Sequence, residues 1–143
     1  MTPADLEWVV ELEQSLQSHP WKPSHFENCL AIGNLALVVE YEKKAVAFAI
    51  VSIGGGEAEL LNIGVAQDYQ GQGLATSFLG EILTQLKDQA QAVFLEVRES
   101  NHKAIALYEK LGFNQTGVRP NYYPAKQGRE DAYIYALELT SLQ

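Results

Sequence analysis

The chain has 143 residues, the size of one ordinary domain, and its 47% hydrophobic and 20% charged content excludes wholesale disorder. Ten Lys and Arg against 18 Asp and Glu give a formal net charge of −8, which argues against a nucleic-acid binder held by phosphate contacts. The acid is concentrated early, with a net of −7 over residues 1–70 and −1 over 71–143, so a cationic partner is drawn to the first half and an anionic ligand is tolerated better by the second.

Thr2-Pro3-Ala4-Asp5 offers an N-cap, a proline at the first helical position and an acid three residues in. Leu6, Val9, Val10 and Leu16 follow on one face, which predicts a first helix of about four turns. Ser18-His19-Pro20-Trp21-Lys22-Pro23 breaks it, and Ser24-x-x-Glu27 predicts a second capping box and a short helix. Ala36–Tyr41, Ala45–Ile53 and Glu57–Val65 then read as an antiparallel meander, separated by Lys43-Lys44 and Gly54-Gly55-Gly56. Leu74–Gln89 has helical spacing with Leu74, Phe78, Ile82, Leu83 and Leu86 inward, and Ala92–Val97 is a strand. Asn101 is placed to cap a helix running to Lys110, which Gly112 ends. Phe113–Arg119 and Ala132–Leu139 are predicted as the last strands, joined by a polar turn over Asn121–Asp131. The order ααβββαβαββ predicts one domain over residues 1–143, of α+β (mixed α/β) class, with a central mostly antiparallel sheet flanked by helices.

The single Cys29 leaves no internal disulfide and no second thiol for a zinc site, and it reads as a small core residue rather than a nucleophile. His19, His25 and His102 have no metal spacing, so no metal is expected. The start MTPADLEW is not a secretory signal, and the longest strongly apolar stretch, Ala45–Ile53, is far short of the roughly 20 residues of a membrane helix. The expectation is a soluble cytoplasmic protein with no membrane or direct nucleic-acid partner.

Two stretches carry chemistry. Leu61–Val65, then Asp68-Tyr69-Gln70-Gly71-Gln72-Gly73-Leu74-Ala75-Thr76, is a strand, a glycine-bearing loop and the start of a long helix. Successive N–H groups of such a loop and of the helix's first turn make an anion-binding concavity, and the glycines let a ligand approach the backbone. The plain alternative is an ordinary strand-to-helix turn, since neither a P-loop Lys-Ser/Thr nor a dinucleotide fingerprint follows. The second stretch runs from Leu95-Glu96-Val97 through Asn101 to Tyr108 and Phe113. Asn101 and Tyr108 lie two turns apart, and Glu96 is on the strand feeding that helix, so the three can converge. Taken singly, Tyr108 reads as core packing, Glu96 as a solvated strand acid and Asn101 as an N-cap and nothing more.

Gln70-Gly71-Gln72-Gly73-Leu74-Ala75 resembles the Q/R-x-x-G-x-G/A loop of the GNAT family of acetyl-CoA-dependent N-acetyltransferases, and the element order resembles that fold along nearly the whole chain. The resemblance implies that Ile63, Gly64 and Val65 contact the acetyl-pantetheine through their backbone. It implies that Gly71, Gln72, Gly73, Leu74, Ala75 and Thr76 hold the CoA pyrophosphate, with Asn101 also on the cofactor. Gly71 stands where the family often has Arg, and Ala75-Thr76 replaces the commoner Gly-Arg, so a weaker grip is expected from a loop whose amides are intact. Pro20-Trp21, Leu95–Asn101, Asn121-Tyr122-Tyr123-Pro124 and Gly128-Arg129-Glu130-Asp131-Ala132 resemble the bacterial branch that acetylates the N-terminal alanine of a small-subunit ribosomal protein. In that branch the residues matching Glu96 and Tyr108 are the proton acceptor and proton donor, and the implied partner is a basic protein N-terminus. An acetyltransferase of small amines or lysine side chains, and a non-catalytic CoA-binding sensor, remain the alternatives.

Overall fold

Thr2 starts the chain's first helical turn by using Asp5. Its backbone N–H donates to Asp5 Oδ2 at 2.7 Å and its hydroxyl to the same oxygen at 3.1 Å. In the computed structural model, which describes residues 1–17 and 19–139, a short 3-10 turn over Pro3–Asp5 leads directly into helix α1 (Leu6–Leu16). Ser18, within the predicted break, and residues 140–143 lie outside the described residues. Helix α2 (Pro23–Ala31) begins two residues earlier than a Ser24 cap would place it. Pro23, with its φ already helical, takes the first position, and His25 Nδ1 rather than Glu27 accepts the Lys22 N–H at 3.3 Å; the Ser24-x-x-Glu27 box does not form.

Strands β1 (Leu35–Tyr41), β2 (Lys44–Gly54) and β3 (Glu57–Val65) follow, then helix α3 (Leu74–Leu86), strand β4 (Ala92–Arg98), helix α4 (His102–Lys110) and strands β5 (Asn114–Pro124) and β6 (Arg129–Glu138). The six strands form one sheet of order β1-β2-β3-β4-β6-β5, in which β3 and β4 are parallel and the β1–β2, β4–β6 and β5–β6 pairs antiparallel. The mostly antiparallel sheet expected from the sequence is therefore present.

The described residues fall into two compact units. The first comprises Met1–Ser52 with Leu61–Ser77. Its core is Val9 and Leu12 of α1, Phe26 of α2, and Phe48 and Ile50 of β2, with Cys29 packed at the margin as expected of a small core residue. Edge-on rings join Phe26 to Phe48 at 5.7 Å. Glu13 lies among these apolar residues on the inner side of α1 and is 1% exposed. Its Oε2 accepts the Trp21 backbone N–H at 2.9 Å and Asn62 Nδ2 at 3.1 Å, tying the corner after α1 to β3, while Oε1 has no hydrogen-bond partner among the described residues.

Burial raises the Glu13 carboxyl above its ordinary value of 4.5 against the pull of those two donors. A carboxyl raised in the native state binds its proton more tightly there than when unfolded. Its contribution is fullest below the ordinary value and declines as the pH rises through the raised one. Glu13→Gln, which keeps an acceptor and carries no charge, is expected to stay within about 1 kcal/mol of wild type at pH 7. Glu13→Ala orphans two donors and opens a cavity, at a cost of about 2–4 kcal/mol. Thermal melts at pH 5 and pH 7 check both, and wild type should gain on Glu13→Gln at the lower pH.

The second unit comprises Ile53–Leu60 with the chain from Phe78 on. Phe78, Leu79, Ile82, Leu83 and Leu86 of α3 are buried, as the helical spacing requires, while Leu74 is only partly covered. Strand β4 pairs in parallel with Glu57–Leu60 through Ala92–Leu95, and antiparallel with β6 along its whole length. Its burial alternates: Val93, Leu95 and Val97 are buried, which leaves Glu96 and Arg98 on the opposite face. The polar stretch Asn121–Asp131 is not the open turn expected from its composition. Tyr123 pairs with Glu130 and Pro124 with Arg129, and the turn narrows to Ala125–Gly128, closed by the Ala125 N–H on the Gly128 carbonyl at 3.2 Å. The polar side chains are spent on strand ends, which composition does not reveal.

Candidate active site

The glycine-bearing loop lies in the first unit. Gln70 and Gln72 fold it back on itself, donating to the carbonyls of Val65 at 2.9 Å and Asp68 at 3.0 Å. Gly71 and Gly73 take φ of +75° and +81°, which side-chain-bearing residues rarely adopt, and a Cβ at either would meet nothing within 4 Å. The backbone is therefore bare and approachable at both positions. The N–H of Ser77 bonds the Gly73 carbonyl at 3.0 Å and opens the α3 ladder. The N–H groups of Leu74, Ala75 and Thr76 are those for which a helix has no internal acceptor. Glycine conformation, open space and helix start together suit an anionic phosphate group. Immediately upstream, Ile63, Gly64 and Val65 end β3. Gly64 has no room for a Cβ, which would stand 2.6 Å from Phe48 Cε1 and 2.9 Å from Leu16 Cδ1.

Glu96 and Tyr108 lie in the second unit. The Glu96 side chain is 18% exposed, and its Oε1 stands 3.0 Å from Nε of Arg119 on β5. Tyr108, 6% exposed, packs its ring at 5.8 Å from that of Phe113. Burial first, and the neighbouring Tyr123 second, push the Tyr108 phenol well above the ordinary tyrosine range. Tyr123 is itself pushed up to about 12, chiefly by burial, then by Glu96 and Tyr122, against the pull of Arg98 and Arg119. Tyr123 is thus the group whose electrostatics couple to both Glu96 and Tyr108. Both tyrosines hold their protons through neutral pH and can donate hydrogen bonds but not act as bases.

Asn101 spends its side chain on the backbone: Oδ1 accepts the Ala104 N–H at 3.2 Å and caps α4. Sequence reasoning missed the arginines. Arg98 Nη1 reaches Glu130 at 2.9 Å and the Pro124 carbonyl at 2.7 Å, with its guanidinium 4.4 Å from the Tyr123 ring centre. Arg129 ties down the carbonyls of Asn121 at 2.8 Å and Tyr122 at 2.7 Å, and Asp131 Oδ1 accepts the Asn121 N–H at 2.9 Å. These bonds hold the register shift between Arg119 and Tyr123, where Asn121 takes a φ of +53°. The clue was the density of Arg, Asp and Glu around two adjacent tyrosines, in a stretch read as a polar turn. Among the described residues, no group of three His, Cys, Asp or Glu is arranged to hold a metal ion.

The model of the acetyltransferase (GNAT) family matches residues 5–113, and the chain belongs to that family. It is an acetyltransferase, and its mixed six-stranded sheet with flanking helices is the GNAT fold. Within the family, it is 42% identical over 137 residues to the [ribosomal protein bS18]-alanine N-acetyltransferase of Escherichia coli K12, covering 95% of this chain and 93% of that one. The enzyme of the same name from Haemophilus influenzae is 39% identical, covering 94% and 93%. The crystal structure of the ribosomal-protein-S18-alanine N-acetyltransferase from Escherichia coli matches with a TM-score of 0.92 at 39% identity, covering 100% of this chain and 93% of that one. No described helix is long and apolar enough to cross a membrane.

Proposed function

We propose that the 143 residues work as one acetyltransferase domain that moves the acetyl group of acetyl-CoA directly onto the α-amine of a protein N-terminus. The substrate is the N-terminal alanine of a small-subunit ribosomal protein, met in the cytoplasm. The observation that carries this reading is the 42% identity, over 95% of the chain, to an enzyme named for that reaction.

Acetyl-CoA supplies the activated acetyl thioester. The amides from Gly71 to Thr76 bind its pyrophosphate, where bare glycines and a helix start favour an anion. The backbone of Ile63, Gly64 and Val65 lies along the pantetheine arm, and a hydrogen bond from the Val65 region stabilises negative charge developing on the thioester oxygen. Glu96 takes the proton that the α-ammonium must lose before it attacks, and Tyr108 donates to the departing sulfur. The acidic first half, net −7 over residues 1–70, favours approach of a basic protein.

A peptide panel tests the reading. An alanine-started basic peptide should be acetylated on its α-amine, the same peptide with a blocked N-terminus should be inert, and lysine-rich peptides and polyamines should react at least about 100-fold more slowly by kcat/KM. Thiol release gives the rates and mass spectrometry locates the acetyl group. A preference for lysines or polyamines would discard the N-terminal assignment and keep the family.

A further inference from the structure

Two arginines flank the face of β4 that carries Glu96, and they are held differently. Arg98 is fixed at three points: the Glu130 carboxylate, the Pro124 carbonyl and the Tyr123 ring. Arg119 is 55% exposed and meets Glu96 through Nε at 3.0 Å, with its guanidinium carbon 5.3 Å from the centre of the Tyr122 ring. An ion pair with one partner this exposed is weak and easily exchanged. A ring face nearby gives a released guanidinium a second place to rest.

We propose that Arg119 is a competing cation: its guanidinium occupies the position on Glu96 that the substrate's α-ammonium takes, and the arriving ammonium displaces it toward the Tyr122 ring. The inference rests on Glu96 receiving the substrate amine, as in the reading above. In the resting protein the carboxylate is already neutralised, so a cation gains a place only by outcompeting a tethered one. Once acetylated, the substrate nitrogen is a neutral amide with no charge to offer Glu96. Arg119 then returns to the carboxylate, so the neutral product is held no more and no less tightly for its presence. Arg119 thereby weakens the hold on the charged substrate and leaves that on the neutral product unchanged.

The test is titration calorimetry in the presence of CoA, which binds without turnover. Two peptides of one sequence are used, the first starting with alanine bearing a free amine, the second with a propionyl group that lacks the nitrogen. In Arg119→Gln, affinity for the free-amine peptide should rise about threefold while the propionyl peptide is unchanged. Steady-state kinetics should show the same factor in the peptide KM with little change in kcat. Arg119→Ala should repeat the pattern. An unchanged or weakened free-amine affinity in either variant overturns the proposal, as does an equal gain for both peptides. Full turnover by Glu96→Gln would overturn the base assignment instead, and leaves the charge-selective gain separately readable.

Discussion

Replacing Glu96 with Gln should lower kcat for an alanine-started peptide by about 10²–10³-fold at pH 7, within the range that a positioned general base contributes. Glutamine has nearly the same shape, and its amide oxygen can still accept from Arg119 Nε, which stands 3.0 Å from Glu96 Oε1 in the wild type. The half-exposed ion pair that is lost contributes little stability, so the variant should melt close to wild type. Acetyl-CoA affinity, measured by calorimetry, should stay within about twofold, because the bare-backbone loop proposed to bind it is untouched. The defect should also depend on pH in a definite sense. A peptide α-amine loses its proton near pH 8, so at pH 9 most of the nucleophile arrives neutral and needs no base to free it. The gap between variant and wild type should therefore narrow from pH 7 to pH 9. A variant as active as wild type at pH 7 removes Glu96 from the chemistry.

Much of the fold was legible because local signals and burial agree. Val, Ile and Leu runs broken by Lys43-Lys44 and by Gly54-Gly55-Gly56 gave β1 to β3 to within a residue or two, and the 3.6-residue spacing of Phe78, Ile82 and Leu86 gave α3. The misread places are those where a polar residue is put to a use its composition does not advertise. Ser24 and Glu27 looked like a cap, but Pro23 had already claimed the first helical position. Asn121–Asp131 looked like a polar turn, yet Arg129 bonds the carbonyls of Asn121 and Tyr122, Asp131 accepts the Asn121 N–H, and Arg98 of β4 holds Pro124 and Glu130, so that β5 and β6 extend. Glu13 sits on the buried face of α1 and interrupts its apolar spacing; that interruption was the available signal.

The site was legible to a different degree. The glycine loop depends on backbone conformation, which Gly71 and Gly73 announce directly in the sequence. The proposed acid-base pair depends on which side chains meet across strands. Glu96 could be placed on β4 from its neighbours, but Arg119 lies 23 positions further along the chain and reaches it only through the β4–β6–β5 order. Such long-range pairing leaves no local pattern to read. Asn101 caps α4 as its position suggested, whereas the electrostatic coupling of Tyr123 to Glu96 and Tyr108 had no signal in the sequence.

Removing the hydroxyl of Tyr108 should cost about 10–100-fold in kcat with acetyl-CoA affinity intact, and the reason it is smaller than the Glu96 effect lies in the burial of the phenol. Phenylalanine keeps the ring against Phe113, so Tyr108→Phe should fold and melt near wild type. An ordinary thiol ionises near pH 8.5, well below the raised Tyr108 phenol, so full proton transfer from tyrosine to the leaving sulfur runs uphill. In the proposed role the hydroxyl donates a hydrogen bond to sulfur as negative charge gathers there, a contribution of about 1.5–3 kcal/mol for a bond to a charged group. The raised phenol fixes the pH dependence as well. Its proton is present throughout the neutral range and is lost only above the ordinary tyrosine value, so this group adds no falling limb to kcat below about pH 10. Its stabilising contribution to the fold follows the same sense, present below that value and lost as the pH rises through the raised one. Turnover measured from pH 7 to pH 10 in both proteins checks each point: the ratio of wild type to Tyr108→Phe should stay constant across the range. A ratio that falls toward one as the pH rises would mean that Tyr108 titrates far lower than its burial requires, and that its proton, rather than its hydrogen bond, is what the reaction uses.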